Sequence, residues 1–133
     1  MLPLKKEQKV VYIGEFAKKP RYQGGGSSHI NTDSVVSALE TAVRKGRAVE
    51  YVKGFSSERD EMTEEELKQA CEAAAGADAV VIFAGLPDSF ESEGYDRNSM
   101  ELPKCQNRLI EAVAEIQKNV VVAVSYTQLT LPT

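Results

Sequence analysis

The sequence predicts an α/β fold built on a parallel sheet. Three observations carry that prediction. Four short apolar runs alternate with three segments of helical periodicity, in the order strand, helix, strand, helix, strand, helix, strand. The third run, "ADAVVIFAG" (77–85), is apolar almost throughout, as in strands covered on both faces. The chain has 133 residues, 42% apolar and 27% charged, which suits one domain with a modest core.

"KVVYIG" (9–14) is β-branched and aromatic and ends in glycine, which reads as a buried strand. "EFAKKPRYQGGGSSHINT" (15–32) is a long glycine-rich loop. "TDSVVSALETAVRKG" (32–46) reads as a helix, with Val35, Val36, Leu39, Ala42 and Val43 on one face. Thr32 or Asp33 is its expected cap and Gly46 its stop. "AVEYVKG" (48–54) is the second strand. "TEEELKQACEAAAG" (63–76) is a second helix, with Thr63 and Glu66 spaced as a capping box. After the third strand comes an acidic loop, then Pro103 and a third amphipathic helix, "KCQNRLIEAVAEIQK" (104–118). "NVVVAVS" (119–125) is the fourth strand.

In a doubly wound, flavodoxin-like sheet, ligands gather at the carboxyl ends of the strands. The glycine-rich loop follows strand one and the acidic loop follows strand three. If those strands are neighbours, the two loops flank one crevice.

The net charge of −4, with acids and bases interspersed, gives no basic stripe for nucleic acid. No apolar run approaches the length of a membrane span, and Met1 to Lys9 shows no secretory signal. Cys71 and Cys105 lack metal-ligand spacing and the sole histidine is His29, which argues against a structural zinc site. The compartment stays open, with the unpatterned cysteines tilting it toward a reducing, cytoplasmic setting.

"RYQGGGSSH" (21–29) invites a phosphate-cradle reading, but the Gly-Lys-Ser/Thr ending of a phosphate loop is missing. Its glycines also lie far from strand one for a dinucleotide fingerprint. A flexible loop or a close-approach loop remains, with Arg21, Gln23, Ser27, Ser28 and His29 as hydrogen-bonding groups. The acidic loop "PDSFESEGYDRNSMELP" (87–103) reads either as a solvated turn or as the seat of a general acid/base. Glu91 and Glu93 face the same way in extended backbone, and Gly94 permits a bend beside them. Spacing alone does not choose between the acids.

Three stretches, "VVYIGEFAKKPRYQGGGSSHIN", "ADAVVIFAGLPDSFESEGYDRNSMELPKCQNRLIEAVAE" and "NVVVAVS", resemble the carboxyl-side α/β sandwich domain of glycoside hydrolase family 3, the β-glucosidase type. Ser-Glu-Gly-Tyr-Asp-Arg at 92–97 is the most specific element of the likeness. The resemblance implies a retaining β-glycosidase acting on terminal β-linked sugars, with Glu93 as general acid/base. It makes Glu91 a supporting acid and puts Arg21 and Ser27 at the rim of the substrate site. It implies a carbohydrate substrate, no cofactor and no metal. The aspartate nucleophile belongs to a barrel domain that precedes the sandwich in the family. The chain alone is therefore expected to be inactive. It is also expected to hold only part of the sandwich (1–124), cut after the fourth strand, with "SYTQLTLPT" (125–133) as a non-native tail. The alternatives are a non-catalytic phosphate- or nucleotide-binding module using the 24–28 loop, and a purely structural domain.

Overall fold

The computed structural model describes residues 2–23, 30–90 and 99–125. The strands are β1 (Val10–Ile13), β2 (Val49–Val52), β3 (Ala79–Gly85) and β4 (Val120–Ser125). The helices are α1 (Ala38–Arg44), α2 (Glu64–Ala75) and α3 (Lys104–Ile116). All strand pairs are parallel and the sheet order is β2-β1-β3-β4. Strands one and three are therefore neighbours, in register from Val10 opposite Ala79 to Ile13 opposite Ile82. The chain steps from β1 outward to β2, then crosses back over β1 to β3 and on to β4. With right-handed crossovers, that reversal puts α2 and α3 on one face and α1 on the other.

The two faces follow from strand alternation. Val11, Ile13, Val80 and Ile82 point to the α2–α3 side and pack with Ala70, Ala74, Leu109, Val113 and Phe55. Val10, Ala79 and Val81 point the other way, with Tyr12 and Phe83 beside them. Helix α2 starts as its sequence dictates. Thr63 Oγ1 accepts from the Glu66 N–H, and Glu66 Oε1 accepts from the Thr63 N–H.

Helix α1 departs from expectation at its start. It begins at Ala38 with Ser37 as cap, whose hydroxyl accepts from the Glu40 N–H at 3.1 Å. Thr32 instead makes a local turn with Ser34. Val35, Val36 and Val43 are exposed, and of the expected apolar face only Ala42 is buried. Tandem β-branched valines are poor first-turn residues, and Ser37-Ala-Leu-Glu40 is a better start signal just beyond them. The stop was legible. Gly46 sits at φ 68°, its N–H reaches Val43 O, and the Arg47 N–H reaches Ala42 O, which together form a Schellman motif.

Candidate functional site

The carboxyl ends of β1 and β3 are fastened together by the chain that leaves them. At Gly14, φ is 110° and a Cβ would lie 2.5 Å from Phe83 O. Only glycine lets β1 turn away so close to β3. A short 3₁₀ turn, Glu15–Ala17, follows and buries Phe16 and Ala17. The loop then crosses the ends of β3 and β4. Arg21 Nη1 donates to Leu86 O at 2.7 Å, and its Nε lies 3.4 Å from Asp88 Oδ1. Ser125, the last residue of β4, donates to Arg21 O at 2.8 Å. The Arg21 side chain is only 8% exposed, so its charge is spent inside this junction.

The start of the acidic loop is held from a second side. Gln106, fully buried in the first turn of α3, accepts from the Gly85 N–H at 3.0 Å and donates to Gly85 O at 2.8 Å. Phe90 N–H returns to Pro87 O in a tight turn. Ser89 Oγ donates to Glu58 O at 3.3 Å, tying the loop to the connector between β2 and α2.

The same connector holds the loop's far end. Pro103 precedes α3 and has no side chain able to cap it. Asp60 does so from a distance, accepting from the Lys104 N–H at 3.0 Å and the Cys105 N–H at 2.8 Å. Burial works against the Asp60 charge, but the hydrogen bonds from Cys105 and Lys104 win and hold its carboxyl below the ordinary aspartate range. Burial, then the bond and charge of Asp60, push the neighbouring Cys105 thiol up to about 12. Glu15 is also drawn into the connector, accepting from the Ser57 N–H and hydroxyl. Burial raises its pKa, yet these bonds, with Lys53 and Lys19 nearby, keep it below the usual carboxylate range. Glu15 and Asp60 are therefore fixed anions, unsuited to donate a proton at neutral pH.

Of the residues singled out from sequence, Arg21 lies at this junction. Ser27, Glu91 and Glu93 lie outside the described residues, as do Gly24 to Gly26, Ser28 and His29. The expected tail, 125–133, does too from 126 onward, whereas its first residue, Ser125, closes β4 opposite Gly85. Local pattern missed Gln106, Asp60 and the Glu15–Ser57 pair, because each acts on backbone or a side chain distant in sequence. Their only signal was a buried-helix glutamine and a proline-started helix in need of a cap. Cys71 and Cys105 are free thiols on α2 and α3. Among the described residues no group of His, Cys, Asp and Glu could hold a metal ion, and no helix is long and apolar enough to cross a membrane.

The glycosyl hydrolase family 3 C-terminal domain profile matches residues 1–132. Thermostable β-glucosidase B of Acetivibrio thermocellus is 49% identical over 125 residues, covering 92% of this chain and 17% of that protein. An exo-α-(1→6)-L-arabinopyranosidase of Bifidobacterium longum is 43% identical over 118 residues, covering 89% and 16%. The crystal structure of a Bifidobacterium adolescentis GH3 β-glucosidase superposes with a TM-score of 0.86 at 41% identity, covering 92% of this chain and 18% of that one. The chain thus spans about 17% of the length of the first of these relatives. The sheet order, the loops gathered at its carboxyl end and these similarities agree: the chain belongs to glycosyl hydrolase family 3, in its C-terminal domain.

Proposed function

We propose that this chain is the sandwich-domain part of a retaining β-glycosidase of β-glucosidase type, and that Glu93 is its general acid/base. The observation that carries the reading is the Arg21 junction. It brings the loop after β1 against the start of the acidic loop, at the end of the sheet where such folds bind ligands. Membership of the family and 49% identity to a β-glucosidase support the reaction class.

In the proposed mechanism two carboxyl groups about 5–5.5 Å apart flank the scissile bond. A barrel domain of the same polypeptide supplies the nucleophile, which forms the covalent glycosyl-enzyme. Glu93 protonates the departing oxygen and then, as its conjugate base, takes a proton from the attacking water. Its pKa must be high while the glycosidic oxygen waits and must fall once the nucleophile is esterified. Glu91 supports the loop, and Arg21 and Ser27 shape the rim. For Arg21 that role runs through the backbone it holds, because its guanidinium is engaged with Leu86 and Asp88.

The test compares two substrates in the full-length enzyme. A 4-nitrophenyl leaving group departs without protonation, whereas an alkyl leaving group needs it. Glu93→Ala is expected to lower kcat/KM for an alkyl β-glucoside at least about a hundredfold more than for 4-nitrophenyl β-glucoside, as loss of general acid catalysis requires. Equal losses on both substrates would remove Glu93 from the acid/base role.

A further inference from the structure

The acidic loop leaves the sheet after Gly85 and re-enters regular structure at Lys104, the first residue of α3. One side chain joins these two points. Gln106 belongs to the turn that receives the loop, and its amide holds both backbone groups of the residue that releases it. The position explains the need. Gly85 lies beyond Ile82, the last residue of β3 registered against β1, because β1 ends at Ile13 and the chain turns away at Gly14. On that side β3 has lost its neighbouring strand. The Gln106 amide replaces it with one acceptor and one donor, the same pair a strand peptide would offer. The amide is fully buried, so no water is at hand to substitute. Asp60 fixes the turn that carries Gln106 by capping the N–H groups of Lys104 and Cys105.

We propose that Gln106 is a positioning residue for catalysis: it closes the base of the acidic loop, so that the loop's entrance and exit move as one body with α3. This rests on the reading of Glu93 as the acid/base. It adds a residue that holds Gly85, from which the loop carrying Glu93 departs, and that acts through this backbone rather than on substrate. A proton donor displaced by about 1 Å can lose up to a hundredfold in rate, so a loosened base is felt at the glutamate.

The experiment uses the full-length enzyme with Gln106→Met and Gln106→Leu, which keep similar volume and remove both hydrogen bonds. The readout is the ratio of kcat/KM for methyl β-glucoside to that for 4-nitrophenyl β-glucoside. That ratio does not depend on the fraction of molecules that fold, so a stability loss cannot mimic a positioning loss. Glu93→Ala is run beside them. The expected result is a ratio lowered on the order of tenfold in both Gln106 variants and lowered further in Glu93→Ala. A ratio unchanged in the Gln106 variants while Glu93→Ala loses it would overturn the positioning role and leave the acid/base reading standing. A ratio unchanged in Glu93→Ala would overturn the acid/base reading and the positioning role together.

Discussion

Replacing Gly14 with alanine tests whether the turn out of β1 needs the space that only glycine leaves. The new Cβ would sit 2.5 Å from Phe83 O, 3.3 Å from Phe83 C and 3.1 Å from Phe55 Cζ. None of these can yield cheaply. Phe83 lies in β3, paired with Ala123 of β4, and Phe55 is fully buried. At φ 110° an alanine also carries backbone strain, of about 1–3 kcal/mol. The steric conflict adds about 1–3 kcal/mol. The sum, roughly 2–6 kcal/mol, is a large share of the ~5–15 kcal/mol that holds a domain together. Gly46→Ala is the control. Gly46 has positive φ too, 68°, but nothing lies within 4 Å of its Cβ position. It should cost only the left-handed penalty of about 1–2 kcal/mol. Urea unfolding of the chain, followed by circular dichroism, reads both. With a slope of about 1–3 kcal/mol/M, the Gly14→Ala midpoint should fall about two to three times as far as the Gly46→Ala midpoint, from the centres of the two ranges. Equal shifts would show that the approach of Gly14 to Phe83 is not what fixes this residue.

Asp60→Asn should destabilise the chain by about 1 kcal/mol at pH 7, since it weakens the cap on α3. The folded-state pKa of Asp60 is lowered, so its contribution is complete above the ordinary aspartate value and is lost as pH falls through the folded value. The stability gap to wild type should therefore hold from pH 7 to 5 and close below about pH 4; a gap that stays constant down to pH 2 would contradict this assignment. Cys105, at about 12, should be alkylated by iodoacetamide at pH 8 on the order of a hundredfold more slowly than an unhindered thiol, since the lost thiolate fraction is partly offset by the greater nucleophilicity of a more basic thiolate. Mass spectrometry after timed labelling checks it, and modification at the rate of free cysteine would refute the burial and the Asp60 bond.

What the sequence made legible was local. Strand and helix periods placed the elements to within one or two residues in most cases, because the apolar faces that set those periods are the faces the core buries. Thr63 and Glu66 announced their helix through a contact three residues long. The start of α1 went astray because Val35 and Val36 continue a helical stripe on paper, whereas Ser37 offers the backbone a cap. The site was legible only in part. Strand order and loop order indicated that the segments leaving β1 and β3 emerge side by side at one end of the sheet, where Arg21 meets Leu86 and Asp88. The resemblance, not spacing, singled out Glu93 from Glu91. The side chains that hold the junction, Arg21 on Leu86, Gln106 on Gly85 and Asp60 on Lys104 and Cys105, join segments that only the fold brings together. No periodicity or short motif encodes a partner chosen that way.

Chemical rescue of full-length Glu93→Ala with sodium azide tests whether this one carboxyl group transfers the proton. Azide needs no general base, so it should enter the space left by the side chain and intercept the glycosyl-enzyme. Turnover of an activated aryl β-glucoside should rise with azide concentration, and β-glucosyl azide should accumulate with retained configuration. No rate increase and glucose as the only product would contradict it.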